Sequence, residues 1–153
     1  RRAAVSRRTA GRCRRRCTLP GNAPGNAMKS IELATGHSLK ISQRRRGHSA
    51  PAGGPGGTVW PCGEALVQWI GAQRAGTHAN LVSEVASAPI GSILELGAGT
   101  GVVSIALSLL GAPHVTATDG DPQSCELCEA NAVQSGARSV ATCPLVWGSA
   151  QHL

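Results

Sequence analysis

One segment constrains the fold of this chain more than any other: residues 92–101, which read SILELGAGTG. A short, mostly apolar run predicts a buried strand, the glycines after it predict a tight turn, and the apolar residues beyond them predict a helix. A second strand-like run, HVTATD, ends in Asp119, 22 positions after Gly97. A glycine turn at a helix N-terminus, with an acid at the tip of the next strand, is an arrangement that holds nucleoside-containing cofactors.

The spacing of the glycines separates two classes of cofactor. A dinucleotide fingerprint, G-x-G-x-x-G, would need its third glycine at position 102, which is Val102. Here the spacing is G-x-G-x-G, and Glu95 stands two residues before the first glycine. This arrangement resembles the first motif of class I S-adenosylmethionine-dependent methyltransferases.

Four blocks, in the same order along the chain, extend this resemblance to the methyltransferase 16 family, which includes many protein-lysine methyltransferases. The blocks are GTVWP at residues 57–61, LELGAGTG at 94–101, TDGDP at 118–122 and WG at 147–148. The resemblance implies a Rossmann-like α/β fold, S-adenosyl-L-methionine as the cofactor, and transfer of its methyl group to lysine side chains of a protein substrate. Two alternatives stay open: a methyltransferase that acts on a small molecule or nucleic acid, and a catalytically inactive interaction module with a basic tail.

The resemblance also assigns roles around the glycine turn. It implies that Gly97, Ala98 and Gly99 lie against the amino-acid end of the cofactor, and that Gly101 lets the following helix begin close by. It implies that Glu95 helps to order this loop and the cofactor's ammonium group. The alternatives are an ordinary glycine-rich turn between a strand and a helix, and an exposed acid at a strand end.

Three more side chains complete the predicted cofactor site. Asp119 is the expected ribose ligand; the alternative is an N-cap or Asx-turn, a role that Asp121 fits better. The family places Trp60 beside the cofactor and Trp147 beside its adenine, where Val146 replaces the acid that commonly precedes this tryptophan. Burial in the core is the alternative for both rings. The family's lysine-orienting acid-x-x-aromatic motif follows its fourth strand, so no catalytic residue is predicted within these 153 residues.

Composition and hydrophobic pattern divide residues 28–153 into three parts. Residues 28–43 predict a hairpin with strands at 30–34 and 38–42. Residues 44–57, rich in Gly, Pro and Arg, predict a linker. Residues 58–153 alternate between strand-like and helix-like pieces, and therefore predict the N-terminal half of a cofactor-binding domain with a parallel sheet and right-handed crossovers.

The elements of that domain follow from local patterns. A first helix is predicted from Pro61, with Leu66, Trp69 and Ile70 as its apolar stripe and Trp69 in the core. A second, weaker helix is predicted around residues 81–85. Strands are expected at 92–96, 115–118 and 139–143, alternating with helices at 102–110 and 123–135. The resemblance implies seven strands for a complete domain, so the sequence predicts a fragment whose sheet has an uncovered apolar face and an open edge.

The formal net charge of +7 is unevenly distributed. Residues 1–27 carry eight Arg and no acid, whereas residues 58–153 carry two Arg and seven acids. The first segment is expected to be a disordered leader, an organellar transit peptide, or sequence foreign to the mature protein. The expected compartment is the cytoplasm, with an organelle as the alternative if the leader is a transit peptide. An Arg-rich tail without aromatic residues carries no base readout, so nucleic acid is not the expected main partner.

The remaining residues predict neither a metal site nor a membrane span. The six cysteines lack the two matched pairs that a structural zinc site needs, and free thiols are predicted. The five histidines share no spacing and are expected at the surface. No run of about 18 apolar residues occurs, and a monomer without a membrane partner is predicted.

Overall fold

The computed structural model describes residues 26–44, 55–76 and 90–149. The Arg-rich leader up to residue 25, most of the predicted linker and the predicted helix around residues 81–85 lie outside these ranges. Within them, no helix is both long enough and apolar enough to span a bilayer.

A three-stranded parallel sheet forms the centre of the described chain, with strand order β3-β4-β5. Its strands and the two helices that connect them are β3 Ser92–Leu96, α2 Val102–Leu109, β4 His114–Asp119, α3 Pro122–Ser135 and β5 Val140–Pro144. The sequence predicted β3 with these bounds and the other four elements to within one residue at each end. The Rossmann-like α/β class is confirmed.

The two faces of this sheet differ because both connections run in the same direction. Parallel strands in the order β3-β4-β5, joined by crossovers of the usual right-handed sense, have α2 and α3 on one side of the sheet. We call that side the covered face and the other the open face. The open face carries two rows of paired residues, Leu94–Thr116–Ala141 and Leu96–Thr118–Cys143, and Thr118 alone of these six is buried.

An antiparallel hairpin precedes the sheet, as the sequence predicted, but its strands are displaced from the predicted bounds. The strands are β1 Asn26–Glu32 and β2 Ser38–Arg44. Alternate residues of β2, Leu39 and Ile41, are fully buried and join Ile105 of α2 in one hydrophobic core. The hairpin is therefore packed onto the helices of the sheet, and Arg44 belongs to β2 and not to the predicted linker.

Helix α1 spans Pro61–Arg74 and begins with proline, as the sequence predicted. Of the predicted apolar stripe, Ile70 is partly buried and packs against the core, but Leu66 and Trp69 are 43% and 51% exposed, so the prediction is wrong for these two and Trp69 is not a core residue. The buried positions of α1 are Val67 and Gly71. A Cβ on Gly71 would lie 3.2 Å from the side chain of Leu33. The hairpin therefore packs against the side of the helix that carries a small residue.

Candidate functional site

The glycine turn, residues 97–101, connects β3 to α2 at the carboxyl end of the sheet. Gly99 and Gly101 have φ values of 53° and 79°, a left-handed conformation that glycine adopts without strain. Neither position has room for a side chain. A Cβ on Gly99 would lie 2.9 Å from the carbonyl oxygen of Gly56, and one on Gly101 would collide with Cys128 of α3. Bare main chain is therefore required by the packing behind the turn as well as by its backbone angles.

The Asp119 carboxylate, at the end of β4, faces the glycine turn. Its Oδ2 accepts a hydrogen bond of 2.9 Å from the Gly99 backbone N–H, and its Oδ1 accepts one of 2.9 Å from the Asp121 N–H. Asp119 thus forms an Asx-type bond, the alternative role considered for it, in addition to its bond to the glycine turn. Each carboxylate oxygen offers about two acceptor positions, so one remains on each.

The Asp121 side chain caps α3, as its position before Pro122 predicted. Its carboxylate accepts hydrogen bonds from the Gln123 and Ser124 backbone N–H groups at 3.1 and 3.2 Å. The Ser124 hydroxyl donates a third, at 2.9 Å. These bonds satisfy donors that the first turn of any helix leaves unpaired.

The Glu95 carboxylate lies on the covered face and caps α2. Its Oε2 accepts a bond of 2.9 Å from the Ser104 backbone N–H, and a second from the Ser104 hydroxyl. Burial raises the pKa of Glu95 above its ordinary value, while the two bonds from Ser104 act in the opposite direction. Glu95 is thus not an exposed strand-end acid: it fixes the start of the helix that follows the glycine turn.

Both tryptophans of the predicted site are exposed. Trp147 follows β5 and is 71% exposed, and its ring lies 4.0 Å from where a Cβ on Gly97 would stand. Trp60 precedes α1, is 47% exposed, and its indole Nε1–H donates a bond of 2.9 Å to the Pro55 carbonyl. Core burial, the alternative for both rings, is excluded. Trp147 lies directly beside the glycine turn. Trp60 is connected to the turn indirectly, because it binds Pro55 at the start of a segment that packs against the turn.

That segment, the 3-10 turn Pro55–Gly57, was assigned to the linker and is part of the site. Gly57 is buried, and Gly56 packs against Gly99. The density of Gly and Pro around it concealed this contact, because the same composition is typical of unpacked chain. The one available signal was that its last residue, Gly57, is also the first residue of the GTVWP block.

Asn131 of α3 is a second site residue that sequence reasoning missed. It is fully buried, and its Nδ2 donates bonds to the Thr100 carbonyl at 2.9 Å and the Ser42 carbonyl at 3.1 Å. Its Oδ1 accepts from the Ser42 N–H at 2.8 Å. One side chain therefore joins the hairpin, α3 and the glycine turn, and nothing in the pattern of the predicted helix marks this position.

The four described cysteines are free thiols. Cys125 and Cys128 are buried in α3, and Cys62 and Cys143 are exposed. Burial, with the nearby Glu95 as a second cause, raises the pKa of Cys128 to about 12, and burial also raises the pKa of Cys125. In residues 26–44, 55–76 and 90–149, no three His, Cys, Asp or Glu side chains form a group that could hold a metal ion.

Comparisons with known proteins agree with this geometry. Residues 35–152 match the methyltransferase 16 family, described as lysine methyltransferase. The chain is 36% identical over 105 residues to the protein-lysine methyltransferase METTL21E of Bos taurus, which covers 69% of this chain and 30% of the relative. It is 44% identical over 52 residues to the ribosomal protein L11 methyltransferase of Myxococcus xanthus, covering 34% of this chain and 18% of that protein.

A solved structure shows the same fold. A putative S-adenosylmethionine-dependent methyltransferase from Streptococcus mutans aligns with a TM-score of 0.50 at 16% identity, over 82% of this chain and 27% of that chain. The chain thus spans less than a third of the length of each relative named here. With the family match covering most of the sequence, the chain belongs to the methyltransferase 16 family.

Proposed function

We propose that this chain binds S-adenosylmethionine at the glycine turn, and that the protein transfers the cofactor's methyl group to lysine side chains of a protein substrate. The observation that carries the cofactor assignment is the bond from the Gly99 N–H to the Asp119 carboxylate. It brings the acid at the tip of β4 to the bare main chain of the turn, which is the arrangement expected of a nucleoside site at the carboxyl edge of a parallel sheet.

The residues present fit this cofactor, which supplies an activated methyl group on a sulfonium centre. Asp119 has acceptor positions left for ribose hydroxyls, after its two bonds to backbone N–H groups. The glycine turn admits a ligand to its main chain, and the exposed Trp147 ring beside Gly97 offers an apolar surface to an adenine. Glu95 holds α2 in place beneath them through Ser104.

The lysine assignment rests on the relatives. The matching family is described as lysine methyltransferase, and METTL21E is named as a protein-lysine methyltransferase. The L11 methyltransferase is likewise named for a protein substrate. Transfer to lysine needs the amine to be neutral and aligned with the methyl group, which is a requirement for positioning more than for acid–base groups. The described residues supply the cofactor side of that alignment.

Titration of the purified chain with S-adenosylhomocysteine, followed by tryptophan fluorescence, tests the cofactor assignment. We expect saturable binding by the wild type and its loss in Asp119→Ala, because the ribose acceptor and the bond to Gly99 disappear together. Asp121→Ala is the matched control, since it removes the neighbouring acid but keeps the N–H that bonds Asp119. It should cost about 1 kcal/mol of helix capping and retain binding. Folded wild type that shows no binding would contradict the assignment.

The substrate class is tested with the whole protein, tritiated S-adenosylmethionine and a lysine-rich protein acceptor. Label should enter the native acceptor, and prior acetylation of the acceptor's lysines, which removes the nucleophilic lone pair of the amine, should abolish incorporation. Label that persists after lysine blocking would exclude lysine as the methyl acceptor.

A further inference from the structure

The 3-10 turn Pro55–Gly57, here called the strap, lies directly on the glycine turn. Gly56 packs against both Gly99 and Ser124, which is in the first turn of α3. A Cβ on Gly99 would be 2.9 Å from the Gly56 carbonyl oxygen and 3.2 Å from the Gly56 Cα. Two glycines therefore meet back to back, 43 positions apart in the sequence.

Gly56 is required for space and not for backbone conformation. It is absent from the glycines with positive φ, so alanine could adopt its backbone angles. A Cβ there would overlap the Ser124 hydroxyl and lie 3.4 Å from the Gly99 Cα. The hydroxyl cannot turn away without losing its 2.9 Å bond to the Asp121 carboxylate. An added methyl group must thus either displace the strap from the turn or break the bond of the Ser124 hydroxyl to Asp121.

Two hydrogen bonds that each involve one side chain hold the strap in place, one near each of its ends. The Trp60 indole donates 2.9 Å to the Pro55 carbonyl at its first residue. Just after its last residue, the Val59 N–H donates 2.8 Å to the Gln43 side chain of β2. Gly57 is itself buried, against the side chain of Arg44. The strap is therefore tied to both the hairpin and the start of α1.

We infer that the strap is a positioning element of the cofactor site, in which Gly56 and the Trp60 indole N–H set the position of Gly99. This deepens the proposed function and rests on it. Gly99 is the residue whose N–H holds the Asp119 carboxylate, so a displaced strap displaces the turn and the ribose acceptor together. The contribution of Trp60 then lies in its N–H, which holds the strap, in addition to its ring.

The first test compares two alanine variants of the full chain in S-adenosylhomocysteine titrations. Gly56→Ala should weaken binding about tenfold, because small displacements of binding groups have large effects on affinity. Gly91→Ala is the matched control: its φ is also not positive, and an added Cβ meets no atom within 4 Å. It should bind like the wild type. Gly56→Ala binding as tightly as Gly91→Ala would overturn the inference.

The second test uses Trp60→Phe, which keeps an aromatic ring and removes the indole N–H. The expected loss of affinity is about threefold to tenfold, the range for one hydrogen bond. Two changes are compared with wild type: the loss in the ligand-induced rise of the melting temperature, and the loss in the melting temperature of the free chain. The first should be the larger, which a purely structural role of Trp60 would not produce. Unchanged affinity in Trp60→Phe would overturn the role of the N–H.

A double-mutant cycle tests the contact without any ligand. Gly56→Ala and Gly99→Ala both force the strap and the turn apart, so the double variant should lose less melting temperature than the two single losses added. Additive losses would overturn the contact itself. If the wild type does not bind S-adenosylhomocysteine, the proposed function is overturned, and the strap's role in cofactor binding with it. If the wild type binds and Gly56→Ala binds equally well, only the inference about the strap is overturned.

Discussion

The covered and open faces of the sheet carry similar apolar residues and meet opposite surroundings. On β3, Ile93 and Glu95 point to the covered face and are partly buried, whereas Leu94 and Leu96 point to the open face and are 62% and 53% exposed. A single strand with period-2 alternation thus contributes apolar residues to both faces. The comparison shows that apolar character identifies a strand, while the direction in which the chain crosses over decides which of its residues the described helices bury.

The largest expected difference between the faces is in packing. Ile105→Ala removes a fully buried side chain beneath the covered face and should lower the free energy of unfolding by about 2–5 kcal/mol, through lost burial and the cavity left behind. Leu94→Ala, on the open face, should change it by less than about 0.5 kcal/mol. Urea unfolding followed by circular dichroism gives both values. Equal losses would show that the open face is packed in solution.

A smaller effect, dependent on pH, is expected from Glu95, an acid on the covered face. Burial raises the pKa of Glu95, so the folded chain holds this proton more tightly than the unfolded chain. The resulting stabilisation is complete below the ordinary pKa of the group and is lost as pH rises through the folded pKa. Glu95→Gln, uncharged throughout, lacks that loss. Its stability relative to wild type should therefore increase as the pH rises above about 4.

Urea unfolding at a series of pH values measures this difference, and parallel curves for the two proteins would refute it. The same variant separates two contributions of Glu95. Its amide oxygen can still accept the Ser104 N–H bond, so α2 keeps its cap. Weaker S-adenosylhomocysteine binding by the folded variant, at a pH where it is at least as stable as wild type, would then report on the carboxylate's charge toward the ligand.

The smallest effect on stability is expected from modifying a thiol on the open face. Cys143 is exposed there, whereas Cys128 lies buried behind the glycine turn with a pKa raised to about 12. Iodoacetamide should therefore label Cys143 and spare Cys128 until the chain unfolds, with no change in melting temperature. Trypsin cleavage after Arg138 places the two cysteines in different peptides for mass spectrometry. Equal labelling in the native state would mean that the turn opens.

The fold was predictable where local pattern decides it. The strand Ser92–Leu96, the glycines after it and the capping Asp121 carry their signals in adjacent residues, and each was predicted where the structure has it. The buried side of α1 was not, because it is chosen by close approach to Leu33 of the hairpin, at Gly71, and not by the most apolar stripe. Helical periodicity says nothing about which partner a helix meets.

The candidate site likewise contains features that the sequence predicted and features that it did not. The glycine motif and the Asp119 spacing were readable, and the structure brings both together. The strap and Asn131 were not readable, because each acts through a contact with residues far away in sequence. Gly56 meets Gly99, and Asn131 meets Ser42 across 89 positions. Long-range contacts of single residues leave no periodicity and no motif.

The bridge formed by Asn131 has a consequence for any attempt to trim this protein. A shortened version that starts at the GTVWP block would discard Ser42, and with it two of the three hydrogen bonds that this amide makes. The amide would keep only its bond to the Thr100 carbonyl, and loss of Leu39 and Ile41 would remove their share of the core around Ile105. The smallest engineered unit that keeps the glycine turn in shape therefore has to include both strands of the hairpin.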